Sequence, residues 1–139
     1  MTHRSNHPII DMKQPVSQFK SKSGLKRIFS AFFFSMAGFK AAWQNEHAFR
    51  QELVLCVLGS VIAVALRISA FEKLVLIGVL MLVLIVELIN SAIEAMVDRI
   101  SPERHPLSKN AKDFGSAAVF LACGLALAAW AVVLFNRFY

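Results

Sequence analysis

The segment VLIVELINSAIEAMVDRI, residues 83–100, opens as an apolar run and then places Glu87, Asn90, Ser91, Glu94 and Asp98 among its apolar residues. At 100° per residue these five side chains fall within about 100° of arc, in a stripe about 16 Å long on one helix face. Three carboxylates on a single face of an otherwise apolar helix read as a membrane span whose acids turn toward a bundle interior. Burying a carboxylate at that depth costs several kcal/mol, so acids with no task are rare there.

The composition agrees with a bilayer protein. The 139 residues are 57% hydrophobic and 17% charged, against about 25% charged in soluble domains. Three apolar segments carry the excess, at residues 53–66, 74–97 and 114–136. The last has no charged side chain and reaches about 34 Å as a helix, enough for the roughly 30 Å hydrocarbon core. The second holds Glu87 and Glu94, while the first borrows length from Phe49 and the stem of a snorkelling Arg50. The expected spans are about 47–67, 72–98 and 113–136. Cys56 and Cys123 fall inside spans and read as packing residues, and the scattered His3, His7, His47 and His105 predict no zinc site.

Residues 1–24 are polar and basic and read as a flexible arm without an assigned role. In LKRIFSAFFFSMAGFKAAW, residues 25–43, apolar side chains recur at steps of three and four, which predicts an amphipathic helix on the membrane surface. A signal peptide fits less well, because Lys40 interrupts the apolar part and no cleavage site leads into a soluble domain. With the N-terminus inside, the inner face receives Arg4, Lys13, Lys20, Lys22, Lys26, Arg27, Lys40, Arg50, Arg99, Arg104, Lys109 and Lys112. The outer face receives Arg67, Lys73 and Arg137. That asymmetry predicts an inner-membrane protein with a cytoplasmic N-terminus and an outer C-terminus. The net charge of +6 follows from it, and nucleic-acid binding is not expected, since the basic residues flank spans and form no groove-reading motif.

The connection ISAFEK reads as a turn at the outer surface. DRISPERHPLSKNAKD, residues 98–113, reads as a polar loop where a soluble ligand would meet the protein. On the stripe, Asn90 and Ser91 serve helix packing as readily as chemistry. Glu87 and Glu94 together are a costly way of joining helices and point to function, whereas Asp98, beside Arg99, is equally a solvated or paired surface charge. Glu46 and Glu52, in NEHAFRQE, lie near the same surface. Glu46 and Glu94 are two hard donors able to hold Mg²⁺ while leaving most of its coordination to water and phosphate oxygens, although Glu46 also suits a helix start. The glycines form neither a P-loop nor a dinucleotide fingerprint. Taken alone, the residues describe a three-span protein with a carboxylate site open to the cytoplasm.

AAWQNEHAFRQE (41–52), VELINSAIEAMVDRI (86–100) and LSKNAKDFGSAAV (107–119) closely resemble the bacterial integral-membrane diacylglycerol kinases, in order and with the same spacing. The resemblance implies an all-α integral membrane fold, with an N-terminal amphipathic surface helix and three transmembrane helices per protomer, assembled as a homotrimer. It implies transfer of the γ-phosphoryl group of MgATP to diacylglycerol. By motif, Glu87 resembles the family's general base, supported by Asn90, and Glu46 and Glu94 its metal and ATP ligands. Arg27, Glu103, Arg104, His105, Lys112 and Asp113 are similar to its nucleotide-binding positions. Its lipid contacts correspond to Lys40, Ala41, Ala42, Trp43, Ala48, Phe49, Arg50, Gln51, Glu52, Ser116, Trp130 and Phe135, together with Glu87. The chain departs from the family pattern at Phe34, where the best-known member has an aromatic hydroxyl, and at Arg104, where it has an aromatic. Ala118, Ala122 and Ala126, and Gly124 with Ala128, recur at steps of four that permit close helix approach in an oligomer. Two other readings stand beside the lipid kinase: a related undecaprenol kinase, and a proton-conducting or structural bundle without ATP chemistry.

Overall fold

The computed structural model describes residues 24–100 and 105–139, and all regular structure among them is helical. The expected flexible arm, apart from Gly24, and the predicted nucleotide contacts Glu103 and Arg104 lie outside the described residues. Four helices follow in order: α1 (Leu25–Asn45), α2 (His47–Ala65), α3 (Ala70–Ile100) and α4 (Pro106–Phe138). The last three are long and apolar enough to cross a membrane. The chain forms two compact units, Met1–Met36 and Ala37–Tyr139.

In the described part of the first unit, Gly24 at φ 58° precedes α1, and its carbonyl accepts the Arg27 N–H at 3.0 Å. The serines of this stretch turn back onto the helix, Ser30 Oγ donating to Lys26 O and Ser35 Oγ to Ala31 O. Phe29, Phe32 and Phe33 are exposed, and so are Lys26 and Arg27.

In the second unit, a single non-helical residue separates α1 from α2. Glu46 takes an extended conformation (φ −108°, ψ 114°) between α1 and α2. Arg50 secures this corner by donating from Nη1 to Trp43 O at 2.9 Å and Gln44 O at 3.3 Å, filling carbonyls left open at the end of α1. At the other end of α2, Ser69 and Glu72 form a reciprocal cap. The Glu72 N–H donates to Ser69 Oγ at 3.2 Å, and the Ser69 N–H donates to Glu72 Oε2 at 2.8 Å. Lys73 Nζ donates to Val64 O at 2.7 Å, closing the turn that ISAFEK predicts.

α3 packs against both α2 and α4. Its inward residues join three core clusters: Leu84 with Ala42, Phe49 and Cys56; Val83 with Ala122 and Ala126; and Leu76 with Ala63 and Val133. Both cysteines are free. The small-residue steps of α4 are thus divided: Ala122 and Ala126 are buried against α3, while Ala118, Gly124 and Ala128 are exposed.

The structure corrects the expected polar loop at residues 98–113. α3 runs on to Ile100 and α4 begins at Pro106, so most of that stretch is helix. Proline at the first helical position and His105 at the cap, where Nδ1 accepts the Leu107 N–H at 3.2 Å, favour an early start. At 31 and 33 residues, α3 and α4 reach roughly 46 and 50 Å, well beyond a bilayer core of about 30 Å. Each helix thus has length to spare beyond such a layer, and their polar ends meet in the ion pair between Lys112 and Asp98.

Candidate active site

The α3 stripe grades from buried to exposed along its length. Glu87 is 4% and Asn90 9% exposed, Ser91 and Glu94 are half-buried, and Asp98 is open to solvent. Helical spacing puts these side chains on one face; the packing of α2 and α4 decides how deep each lies.

Asn90 joins the two deeper acids. Its Nδ2 donates to Glu94 Oε1 at 3.2 Å, one turn away, and the same amide reaches the Glu87 carboxylate. Glu87 experiences the charges of Glu94 and Glu46, and Glu52 on α2 experiences that of Glu87. Four carboxylates from α2, α3 and the corner before α2 thus converge electrostatically. Several of their surroundings are polar atoms without partners: Glu52 Oε2, Asn90 Oδ1 and Ser91 Oγ are buried and accept no hydrogen bond. Such atoms are expensive in a finished core, and those of Glu52 and Ser91 leave acceptor capacity that a ligand could fill.

Glu46 stands at the cap of α2, yet its side chain makes no capping hydrogen bond, so the carboxylate is not taken up in starting the helix. Lys112 on α4 brings a positive charge to the acids of α3. Its Nζ donates to Asp98 Oδ1 at 2.6 Å, and it experiences Glu94 as well. Asp113 pairs instead with Lys109 along the exposed side of α4. His105 serves as the α4 cap.

The residues expected around a lipid divide by burial. Lys40, Ala41, Trp43, Ala48, Gln51, Ser116 and Phe135 are exposed, with Phe135 stacked on Tyr139. Ala42 and Phe49 belong to the core, and Phe49 stacks on Phe39 with centroids 6.5 Å apart. Arg50 and Glu52 are half-buried, and Trp130 donates its indole N–H to Leu76 O at 3.4 Å. Arg27 is exposed in the first unit.

Two features of the site escape sequence reasoning. The family resemblance groups Glu52 with lipid contacts, whereas in the structure it feels the charge of Glu87. Gly115 is one glycine among six in the sequence, yet it is buried beside Asn90 and leaves no room there for a side chain. Its position in AKDFGSA, next to the Lys–Asp pair, is the only signal the sequence offers. Among the described residues no three metal-ligating side chains gather closely enough to form a metal cage. The donor set is two to four carboxylates with unmet capacity, which suits a hard divalent cation shared with phosphate oxygens.

Residues 33–134 match the family described as prokaryotic diacylglycerol kinase. A diacylglycerol kinase of Pseudomonas aeruginosa (strain PAO1) is 54% identical over 118 residues, covering 85% of this chain and 96% of that protein. A diacylglycerol kinase of Escherichia coli (strain K12) is 50% identical over 116 residues, covering 84% and 95%. One of Haemophilus influenzae (strain Rd) is 40% identical over 113 residues, covering 81% and 96%.

Proposed function

The chain belongs to the prokaryotic diacylglycerol kinase family, and from that premise we propose that Glu87 is the base that activates the lipid hydroxyl. The protein is an ATP-dependent diacylglycerol kinase embedded in a bacterial membrane. The reaction gives phosphatidic acid and ADP. The observation that carries the residue assignment is the depth gradient on α3: a buried carboxylate at Glu87, bridged by Asn90 to Glu94 nearer the open end.

A diacylglycerol hydroxyl lies at the level of the membrane interface, whereas ATP arrives from water, so the two reactants need groups at two depths. Glu87 takes the hydroxyl proton as the lipid oxygen forms its bond to the γ-phosphorus and the bond from that phosphorus to the bridging oxygen of ADP breaks. Asn90 orients the Glu87 carboxylate and keeps Glu94 turned toward the same site. Lys112 offers positive charge to the phosphates, with Asp98 steadying it. Phosphoryl transfer depends chiefly on positioning and charge neutralisation, which explains how a chain without a P-loop performs it.

Glu46 and Glu94 would hold Mg²⁺, and the free carboxylate of Glu46 supports that assignment. Bound there, the ion would neutralise phosphoryl oxygens. Asp113 and His105 complete the proposed nucleotide side, with Arg27, Glu103 and Arg104 assigned to the nucleotide by family resemblance alone, and the exposed residues around Lys40–Trp43 and Ser116 the proposed lipid side. A homotrimer in the inner membrane, N-terminus inside, fits the charge asymmetry and the many apolar side chains exposed on each helix.

Purified protein in mixed micelles with γ-labelled MgATP and, in parallel, diacylglycerol or undecaprenol tests the reading. Label should pass to diacylglycerol. Transfer only to undecaprenol would reassign the substrate, and transfer to neither would remove kinase activity altogether.

A further inference from the structure

Gly115 is buried on α4 directly across from Asn90 on α3. A Cβ built on it would overlap Asn90 Oδ1 and lie 3.2 Å from Asn90 Cγ. Among the described residues only Gly24 has positive φ, so position 115 needs glycine for space and not for backbone freedom. Gly78 and Gly124 differ, since a Cβ on either meets nothing within 4 Å.

The oxygen in this notch is buried and has no hydrogen-bond partner. Asn90 is therefore held in its orientation by fit against α4 and by its amide, not by a bond to its oxygen. With Oδ1 lodged at Gly115, Nδ2 faces the acids, 3.2 Å from Glu94 Oε1 and within reach of Glu87. We infer that Gly115 is a positioning residue for phosphoryl transfer: the notch it leaves in α4 seats the Asn90 oxygen and so turns the Asn90 amide onto Glu94 and Glu87.

The physical consequence of a methyl group at 115 follows from what can move. α3 and α4 are fixed along their length by the Val83 and Leu76 clusters, whereas the Asn90 carboxamide is the free end of a side chain. The cheapest relief is rotation of that carboxamide, which withdraws the donor lying between two carboxylates that repel each other. The helix pair survives and the acid cluster loses its register.

This inference rests on the kinase reading, and its test separates the two. Gly115→Ala, Asn90→Ala, the double variant and Gly78→Ala are prepared as full-length protein and assayed with MgATP and diacylglycerol in mixed micelles. Gly115→Ala should lower kcat by about tenfold or more, the scale of a misplaced catalytic group, and raise the Mg²⁺ concentration needed for half-maximal rate. Gly78→Ala should match the parent. In the Asn90→Ala background the same change at 115 should alter the rate by less than about twofold, because no amide remains to be turned.

A second readout does not depend on turnover. With ¹⁵N in the asparagine side chains, Glu94→Gln should shift the Asn90 amide signal in the parent but leave it nearly unmoved in Gly115→Ala. Wild-type kcat and Mg²⁺ dependence in folded Gly115→Ala would overturn the inference, as would an equal loss in the Asn90→Ala background, which would make Gly115 a packing residue only. Should Gly115→Ala fail to fold, the double variant decides: its folding upholds the overlap with Asn90, and its failure overturns it. An inactive parent would defeat the kinase reading, while the amide signal would still decide the role of the notch.

Discussion

Residues 76–84 and 87–98 of α3 belong to one continuous helix between the same two neighbours, yet they are packed by opposite rules. In the first stretch Leu76, Val83 and Leu84 are buried among apolar side chains of the neighbouring helices, and the Trp130 indole that reaches it has its partner in Leu76 O. In the second, acids and an amide take the inward positions, and Asn90 Oδ1, Ser91 Oγ and Glu52 Oε2 go without partners. Each such atom costs about 1–3 kcal/mol in a closed core. The apolar stretch holds the bundle, and the polar stretch keeps hydrogen-bonding capacity that the protein itself does not fill.

The contrast breaks most decisively at Glu87. Glu87→Gln should leave a folded protein that still binds MgATP, with kcat reduced about 10²–10⁴-fold, the usual contribution of a general base. Near-normal turnover would remove Glu87 from that role. The same variant should unfold no more readily than the parent, because it removes a charge from beside Glu94, Glu46 and Glu52.

Next in size are Glu94→Gln and Glu46→Gln. Each should lose activity that added Mg²⁺ partly restores, and an unchanged Mg²⁺ dependence in steady-state rates would count against metal ligation. In the apolar stretch the expectation reverses. Leu76→Ala, at a site with no exposed surface, should destabilise the fold by about 2–5 kcal/mol, measured by denaturation in detergent, while the surviving folded protein turns over near the parent rate. A specific loss of kcat there would erase the division between the two stretches. The smallest effect belongs to Asp98→Asn at the exposed end, where loss of the Lys112 partner should raise the KM for ATP a few-fold and leave kcat almost unchanged.

Much of this division is legible in the amino-acid sequence. The length of the apolar runs announces three spans, and a step of 100° per residue puts Glu87, Asn90, Ser91, Glu94 and Asp98 on one face. Residues 98–113 suggest a loop because their charged side chains look solvent-bound, whereas long helices continue past a membrane and carry such residues in pairs like Lys109–Asp113 and Lys112–Asp98. Arg50 is legible as a residue that borrows depth, but its service to the end of α1 depends on the sharp corner at Glu46.

What the sequence determined by itself is whatever a single helix decides: span, face and order of depth along α3, all set by rise and rotation per residue. The tertiary structure alone decided which groups meet across helices. Glu87 acting on Glu52, Lys112 on Asp98 and Gly115 beneath Asn90 all depend on the relative rotation and height of separate helices. Those quantities come from the fit of many apolar side chains at once, and no local spacing encodes them.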